Sequence, residues 1–200
     1  METNTRTLVK TTPEVHAWAH ATGAKAAWTS AAVIAVLATL TAVGAHIRVP
    51  LEPVPITLQT LFVLLAGALA GPARGLLSQS IYVFGGVLGV PLFAGSMTGL
   101  AVLAGPTGGY LLGFVVAPLL IGSLINRRTG FRWTLFVFSL GSLAILSLGV
   151  LHLALFTAGD LSAALRMGIL PFVVGDAAKT LAAASIYGSY RRFRSFRAAS

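Results

Sequence analysis

The sequence predicts an all-α integral membrane protein of six transmembrane helices. Three observations carry that expectation. Of 200 residues, 56% are apolar and only 10% charged, where an average soluble domain carries about 25% charged residues. Charge-free stretches recur at the length a bilayer demands, since a hydrocarbon core of roughly 30 Å takes about 20 helical residues to cross. The Lys and Arg residues, 14 in all, fall almost entirely on alternate connections between those stretches. This composition excludes an ordinary soluble enzyme and a disordered tail. The net charge of +9 is not gathered in one stripe beside exposed aromatics, so nucleic acid is not expected as a partner. With no cysteine, disulfide frameworks, Cys-based zinc sites, thiol catalysis and iron–sulfur clusters are excluded.

Residues 1–26 are polar and form an expected cytoplasmic tail. Its His16 and His20 share a helical face but have no third ligand at supporting spacing, and are taken as solvated. Span 1, at 27–47, fills the 22-residue gap between Lys25 and Arg48. It exceeds the 7–15-residue apolar core of a signal peptide, so it is expected to be retained. Ala27, Ala31 and Ala35 recur every fourth position and make a flat stripe along which another helix can approach closely.

Span 2, at 56–72, lies in the 21-residue gap between Glu52 and Arg74. Pro50, Pro53 and Pro55 hold the helix off until about Ile56. Thr57, Gln59 and Thr60 then stand at its outer end with free hydrogen-bonding groups. The 52-residue gap from Arg74 to Arg127 holds span 3, at 75–90, and span 4, at 108–126.

Between spans 3 and 4, residues 91–107 are uncharged, too apolar for a solvated loop and too broken by Gly and Pro for a helix. Irregular backbone near the bilayer persists only where protein or a water-lined cavity satisfies it. This segment, which includes Phe93, is therefore expected to be a lid over the outer, extracellular face. The Gly105–Gly109 turn leads into the start of span 4, whose free N–H groups favour an anionic or carbonyl ligand. Span 5, at 132–157, fills the 27-residue gap from Arg132 to Asp160 and carries a lone His152, taken as a pocket or packing residue. Span 6 covers 168–190, and residues 191–200 form a basic cytoplasmic tail. Gly67-x-x-x-Gly71, Gly85-x-x-x-Gly89 and Gly109-x-x-x-Gly113 are expected to pack within the bundle.

An even number of spans puts both termini on one side. With that side cytoplasmic, the inner segments hold eleven Lys and Arg residues and the outer loops only Arg48 and Arg166, as the positive-inside rule requires. Trp28, Trp133, Tyr187 and Tyr190 fall at inner interfaces, where amphipathic rings anchor.

Span 6 carries the sharpest signal, Asp176 and Lys179 inside a 24-residue stretch between Arg166 and Arg191. Each costs about 2.5–3.5 kcal/mol on insertion scales. At i and i+3 they lie about 60° apart around the helix and share one face, which must turn to the bundle interior. With a helix entering near Gly168, Asp176 is expected about 12 Å and Lys179 about 17 Å into the membrane. A buried ion pair is seldom more stable than apolar packing, which favours a ligand or ion-coupling role. No nucleophile elbow, metalloprotease helix or Walker A sequence is present, so no enzymatic activity, cofactor or metal site is expected. The implied chemistry is a small-molecule pocket near the outer leaflet, in which Asp176 accepts N–H donors and Lys179 can meet a carboxylate.

Four segments together resemble one family: Pro53 to Leu61 (PVPITLQTL), Tyr82 to Phe93 ending in GVPLF, Gly105 to Phe114 (GPTGGYLLGF), and Pro171-Phe172-x-x-Gly175-Asp176-x-x-Lys179. The sequence is similar, over residues 27 to 190, to the biotin transporter S components, the BioY family, of energy-coupling factor transporters. The resemblance implies a six-helix bundle in a bacterial cell (inner) membrane that binds biotin from outside. It implies as partners a transmembrane coupling protein and two cytoplasmic ATPases, docked on small residues of the first helix. It implies a biotin site at Asp176 and Lys179, with Gln59, Gly108, Gly109 and Tyr110 lining or closing the pocket beside Thr57 and Phe93. Gln79 and Ser80 are candidates for a polar side chain that the family carries near span 3. Which charge meets the ureido group and which the carboxylate stays open. A stand-alone proton-coupled transporter and an S component for another vitamin are the alternatives.

Overall fold

The structure is a computed structural model and describes residues 24–95 and 98–199. Most of the expected tail, with His16 and His20, lies outside the described residues, as do Ser96 and Met97 of the expected lid. The elements run α1 (Ala24–His46), β1 (Arg48–Val49), β2 (Ile56–Thr57), α2 (Gln59–Val87), α3 (Leu100–Ala104), α4 (Gly108–Leu124), α5 (Phe131–Leu153), a 3-10 turn (Ala154–Phe156), α6 (Leu161–Gly168) and α7 (Val173–Ala199).

These helices are apolar on both their inner and outer faces, which suits lipid rather than water as the surrounding solvent. Ile34, Leu37, Ala38 and Ala42 of α1 are buried, while Trp28, Val36 and Val43 stand exposed on the same helix. Phe84, Leu112, Phe136 and Leu151 are likewise exposed on α2, α4 and α5. Ala26–His46 and Phe131–Phe156 are long and apolar enough to cross a membrane, and the bent α6–α7 pair qualifies as a third span.

The chain reverses inside α2. Gly71 takes φ 80°, ψ 178° and Pro72 follows it. The first sets a left-handed backbone that only glycine adopts without penalty; the second cannot continue a helical ladder. The two limbs fold back antiparallel. Gln59 bonds Tyr82 across them, and a Cβ on Gly75 would stand 3.1 Å from the Gly67 Cα. Helix α4 then packs into the groove of this hairpin. A Cβ on Gly67 would stand 2.8 Å from the Pro118 backbone, and one on Gly122 would stand 2.3 Å from Pro72.

Three features differ from the sequence expectation. Residues 91–107, expected to be too broken by Gly and Pro for a helix, contain the five-residue α3 at Leu100–Ala104, in the apolar run between Gly99 at φ 78° and Gly105. The proline-rich connection after α1 contains a two-residue antiparallel ribbon, with Arg48 opposite Thr57 and Val49 opposite Ile56. The last span is not one helix from residue 168. Pro171 has no N–H to donate and interrupts it, so α6 ends at Gly168 and α7 starts at Val173, bent by 52°. Asp176 consequently sits in the first turn of α7, about 4.5 Å from its start rather than about 12 Å along a longer helix. At its other end α7 continues as helix through the basic residues to Ala199.

At the opposite end of the bundle from this break, the Trp133 indole N–H donates to the Leu124 carbonyl at 3.1 Å. The same carbonyl accepts from the Arg127 N–H at 3.0 Å, so both lone pairs of this acceptor in the last turn of α4 are used. The Arg128 guanidinium lies 5.1 Å above the Trp133 ring.

Candidate functional site

Helix α7 turns Asp176, Lys179, Thr180, Ala183 and Tyr187 inward, and Phe172 just before its start is buried with them, a three-and-four spacing that places them on one face. Asp176 and Lys179 are both buried and form an ion pair through Oδ1 and Nζ. The first turn of α7 adds the positive end of the helix dipole to the side of the carboxylate. Asp176 Oδ2 accepts a hydrogen bond from Ser142 Oγ of α5 at 3.2 Å. The Lys179 ammonium donates to the Thr57 carbonyl at 3.1 Å and to Thr60 Oγ1 at 3.2 Å. An ammonium has three N–H donors and no acceptor, so the ion pair and these two bonds occupy it fully.

A second polar chain crosses the site. Thr57 Oγ1 donates to Gln59 Oε1 at 2.8 Å. Gln59 Nε2 donates to Tyr82 Oη at 2.5 Å, and Tyr82 Oη contacts the Leu92 carbonyl at 3.4 Å. This chain ties the ribbon to both limbs of α2 and to the start of the segment before α3. Phe93 is buried there, edge-on to Tyr82 with ring centroids 5.6 Å apart. Gly86 makes the space for it, because a Cβ would stand 2.3 Å from the Phe93 ring. On the far wall Tyr110 Oη donates to the Gly168 carbonyl at 2.8 Å, anchoring the corner between α6 and α7, and its ring lies 6.0 Å from that of Phe172.

These residues line one cleft. Thr57, Gln59, Tyr82, Phe93, Tyr110 and Phe172 surround the Asp176–Lys179 pair, with Val102 of α3 above. Its cavity volume is about 50 Å³, room for a few water molecules and well below the about 300–1,000 Å³ common for small-molecule sites. The walls are therefore closed in on one another.

Six of the eight expected substrate residues, Asp176, Lys179, Gln59, Tyr110, Thr57 and Phe93, meet in this cleft. Gly108 and Gly109 do not line it. A Cβ on Gly108 would stand 1.9 Å from the Leu103 carbonyl oxygen, and one on Gly109 would stand 2.3 Å from that of Leu148. They mark the close approach of α4 to its neighbours. His152 is a packing residue at the same corner, its Nε2 3.1 Å from the Gly105 carbonyl.

Gln79 is buried against α1, with Nε2 donating to Thr41 Oγ1 at 3.1 Å and to Ser78 Oγ at 3.3 Å. Ser80 lines a separate lateral groove with Ile81 and Phe84. Neither belongs to the cleft. Ala27, Ala31 and Ala35 lie exposed on α1, opposite the face that packs on α2. Sequence reasoning missed Ser142, Tyr82 and Phe172 as site residues. Phe172 and Tyr82 stood inside the motifs, but Ser142 has no local signal, since only the register of α5 against α7 brings it to Asp176.

Apolar helices enclosing a cleft with a buried ion pair define a solute-binding membrane protein. The chain belongs to the BioY family, which it matches over residues 16–196. It is 42% identical over 147 residues to a Thermotoga maritima protein named biotin transporter BioY, covering 74% of this chain and 86% of that one. It is 41% identical over 154 residues to a Pyrococcus horikoshii protein named probable biotin transporter BioY, covering 77% and 91%. Its fold superposes with a TM-score of 0.78 and 25% identity on the crystal structure, at 2.1 Å, of the S-component for biotin from an ECF-type ABC transporter, over 86% of this chain and 95% of that one. These relatives are transporters and transporter components, not enzymes.

Proposed function

We propose that the protein is the biotin-capturing subunit of an energy-coupling factor transporter in a bacterial inner membrane. The observation that carries this reading is the Asp176–Lys179 pair, which faces a closed cleft and not lipid. Biotin is partly apolar, carries two ureido N–H groups and ends in a carboxylate. The cleft offers aromatic walls from Tyr82, Phe93, Tyr110 and Phe172, with a carboxylate acceptor at its floor. The names of the relatives support the same ligand.

Six spans with both termini cytoplasmic complete the reading, the two limbs of α2 serving as spans 2 and 3. The distribution of Lys and Arg supports that orientation. In that orientation the ribbon, the 91–107 segment and the α6–α7 corner face the extracellular side, and the segment serves as a lid over the cleft. The present void is smaller than a vitamin, so the lid moves to admit it. The exposed Ala27, Ala31 and Ala35 stripe supports docking of a transmembrane coupling protein, whose two ATPase partners supply the energy.

The test is binding of radiolabelled biotin to the purified protein in lipid nanodiscs, with other vitamins as competitors. Saturable binding that only biotin competes is expected. Displacement by thiamine or riboflavin instead would assign the cleft to another vitamin. In cells, uptake that persists without ATPase partners but collapses with the proton gradient would return the stand-alone transporter.

A further inference from the structure

The end of the bundle away from the cleft carries a charge that the chain itself does not balance. In the orientation proposed above, eleven Lys and Arg residues lie on that cytoplasmic side. The chain has only five acids. Glu52 and Asp160 belong to the outer connections, and Asp176 is buried with Lys179. Glu2 and Glu14 remain, and two acids cannot neutralise eleven cations whatever they pair with.

Part of this charge is held in a fixed arrangement around the end of α4. On one flank the Trp133 indole is pinned by its hydrogen bond to the Leu124 carbonyl, and the Arg128 guanidinium lies over that ring. On the other flank the Tyr187 hydroxyl donates to Asn126 Oδ1 at 3.5 Å. The Tyr187 ring stacks on that of Tyr190, with centroids 6.3 Å apart. The Arg194 guanidinium lies 5.9 Å above the Tyr190 ring. Two guanidinium groups, one from the α4–α5 turn and one from α7, are thus each laid on an aromatic ring anchored to residues 124–126. Between the flanks Arg127 follows Asn126, its Nε held by the Ser123 carbonyl at 3.3 Å. Stacking occupies the face of a guanidinium and leaves its N–H edge, the fork that suits a phosphate, directed outward from the ring. Arg127, Arg128 and Arg194 are all exposed. Their depth is that of lipid headgroups, where Trp and Tyr rings collect. The 27 residues of α7 run about 40 Å, so its basic end clears a hydrocarbon core of roughly 30 Å.

We propose that Arg127, Arg128 and Arg194 form a binding site for the headgroup of an anionic phospholipid in the cytoplasmic leaflet, such as phosphatidylglycerol. Basic pockets between helices on the cytoplasmic side take such headgroups. The excess of positive charge selects an anionic lipid over a zwitterionic one, whose ammonium offsets its own phosphate. The leaflet in this assignment rests on the orientation given under the proposed function; the site itself rests on the braced arginines.

The test titrates the full chain in detergent micelles with phosphatidylglycerol and with phosphatidylcholine, read by native mass spectrometry. Phosphatidylglycerol should bind about tenfold more tightly, and the preference should shrink as salt is raised. Arg128→Gln with Arg194→Gln should weaken phosphatidylglycerol about thirtyfold, the loss of two arginines acting on an anionic lipid, and leave phosphatidylcholine unchanged. Arg194→Gln alone, at an exposed position, should give part of that loss. Arg132→Gln with Arg192→Gln removes the same charge from exposed neighbours on the same two helices and should weaken it only about twofold. Biotin affinity should hold in every variant, because the cleft is at the other end of the bundle, and it shows that each is folded. Equal weakening by the two pairs would reduce the binding to diffuse charge and overturn the site. So would phosphatidylglycerol binding that Arg128→Gln with Arg194→Gln leaves intact, and a loss of biotin uptake in cells alongside it would make the corner a docking face for a partner's acids instead. The orientation is read separately. The chain has no cysteine, so Ser195→Cys gives one thiol, and its labelling by an impermeant maleimide outside intact spheroplasts would overturn the cytoplasmic placement without touching the lipid titration.

Discussion

Ser142 and Asp176 meet across the bundle, with Ser142 Oγ of α5 donating to Asp176 Oδ2 of α7 at 3.2 Å. The contact joins two helices far apart in sequence and fixes the carboxylate rotamer that presents its free lone pairs to the cleft. Ser142→Ala should lower biotin affinity about tenfold, the scale of a hydrogen bond to a charged group. Helical content by circular dichroism should stay unchanged. Wild-type affinity by calorimetry would remove Ser142 from the site.

Lys179 and Asp176 are both buried, so removing one partner leaves the other charged and unpaired. Lys179→Ala should destabilise the fold by about 3–5 kcal/mol and abolish measurable biotin binding. The double substitution Asp176→Asn with Lys179→Met removes both charges. It should recover much of the lost thermal stability and none of the binding. Recovery of both would make the pair structural only.

Gly109 owes its place to the Leu148 carbonyl, which leaves no room for a side chain. Gly109→Ala should force α4 and α5 apart at a cost of about 1–3 kcal/mol, the usual penalty for overpacking, seen as a lower melting temperature. The protein that remains folded should bind biotin with near-normal affinity. A lost affinity at unchanged melting temperature would restore Gly109 to the binding site.

Ala31 and Ala35 are exposed and touch no part of the cleft. Replacing both with Leu should leave biotin affinity and melting temperature unchanged. Biotin uptake by cells supplying the coupling protein and ATPases should fall severalfold, because bulk at a small-residue stripe blocks close helix approach. Normal uptake would leave the stripe as a lipid-facing surface.

Much of the site was legible in one dimension because the membrane makes charge expensive. Asp176 and Lys179 stood out against an apolar background, and their spacing alone put them on one inward face. Thr57 and Gln59 were marked by the prolines that delay α2. Gly108 and Gly109 were not separable in sequence for a physical reason: glycines at a helix start look alike whether they line a cleft or admit a neighbouring helix, and the close approach of Leu103 and Leu148 appears only in the fold. Pro171 announced the break before α7, yet the surrounding apolar run favoured a single span.

The sequence by itself determined which stretches are apolar helix, which side carries the positive charge, and that two ionisable groups must hide inside. Those are properties of local composition and helical period. Only the tertiary structure decided that Ser142 would complete Asp176 and that Lys179 would spend every donor within the protein. Each of these depends on the register between segments distant in sequence, which packing sets and no local pattern encodes.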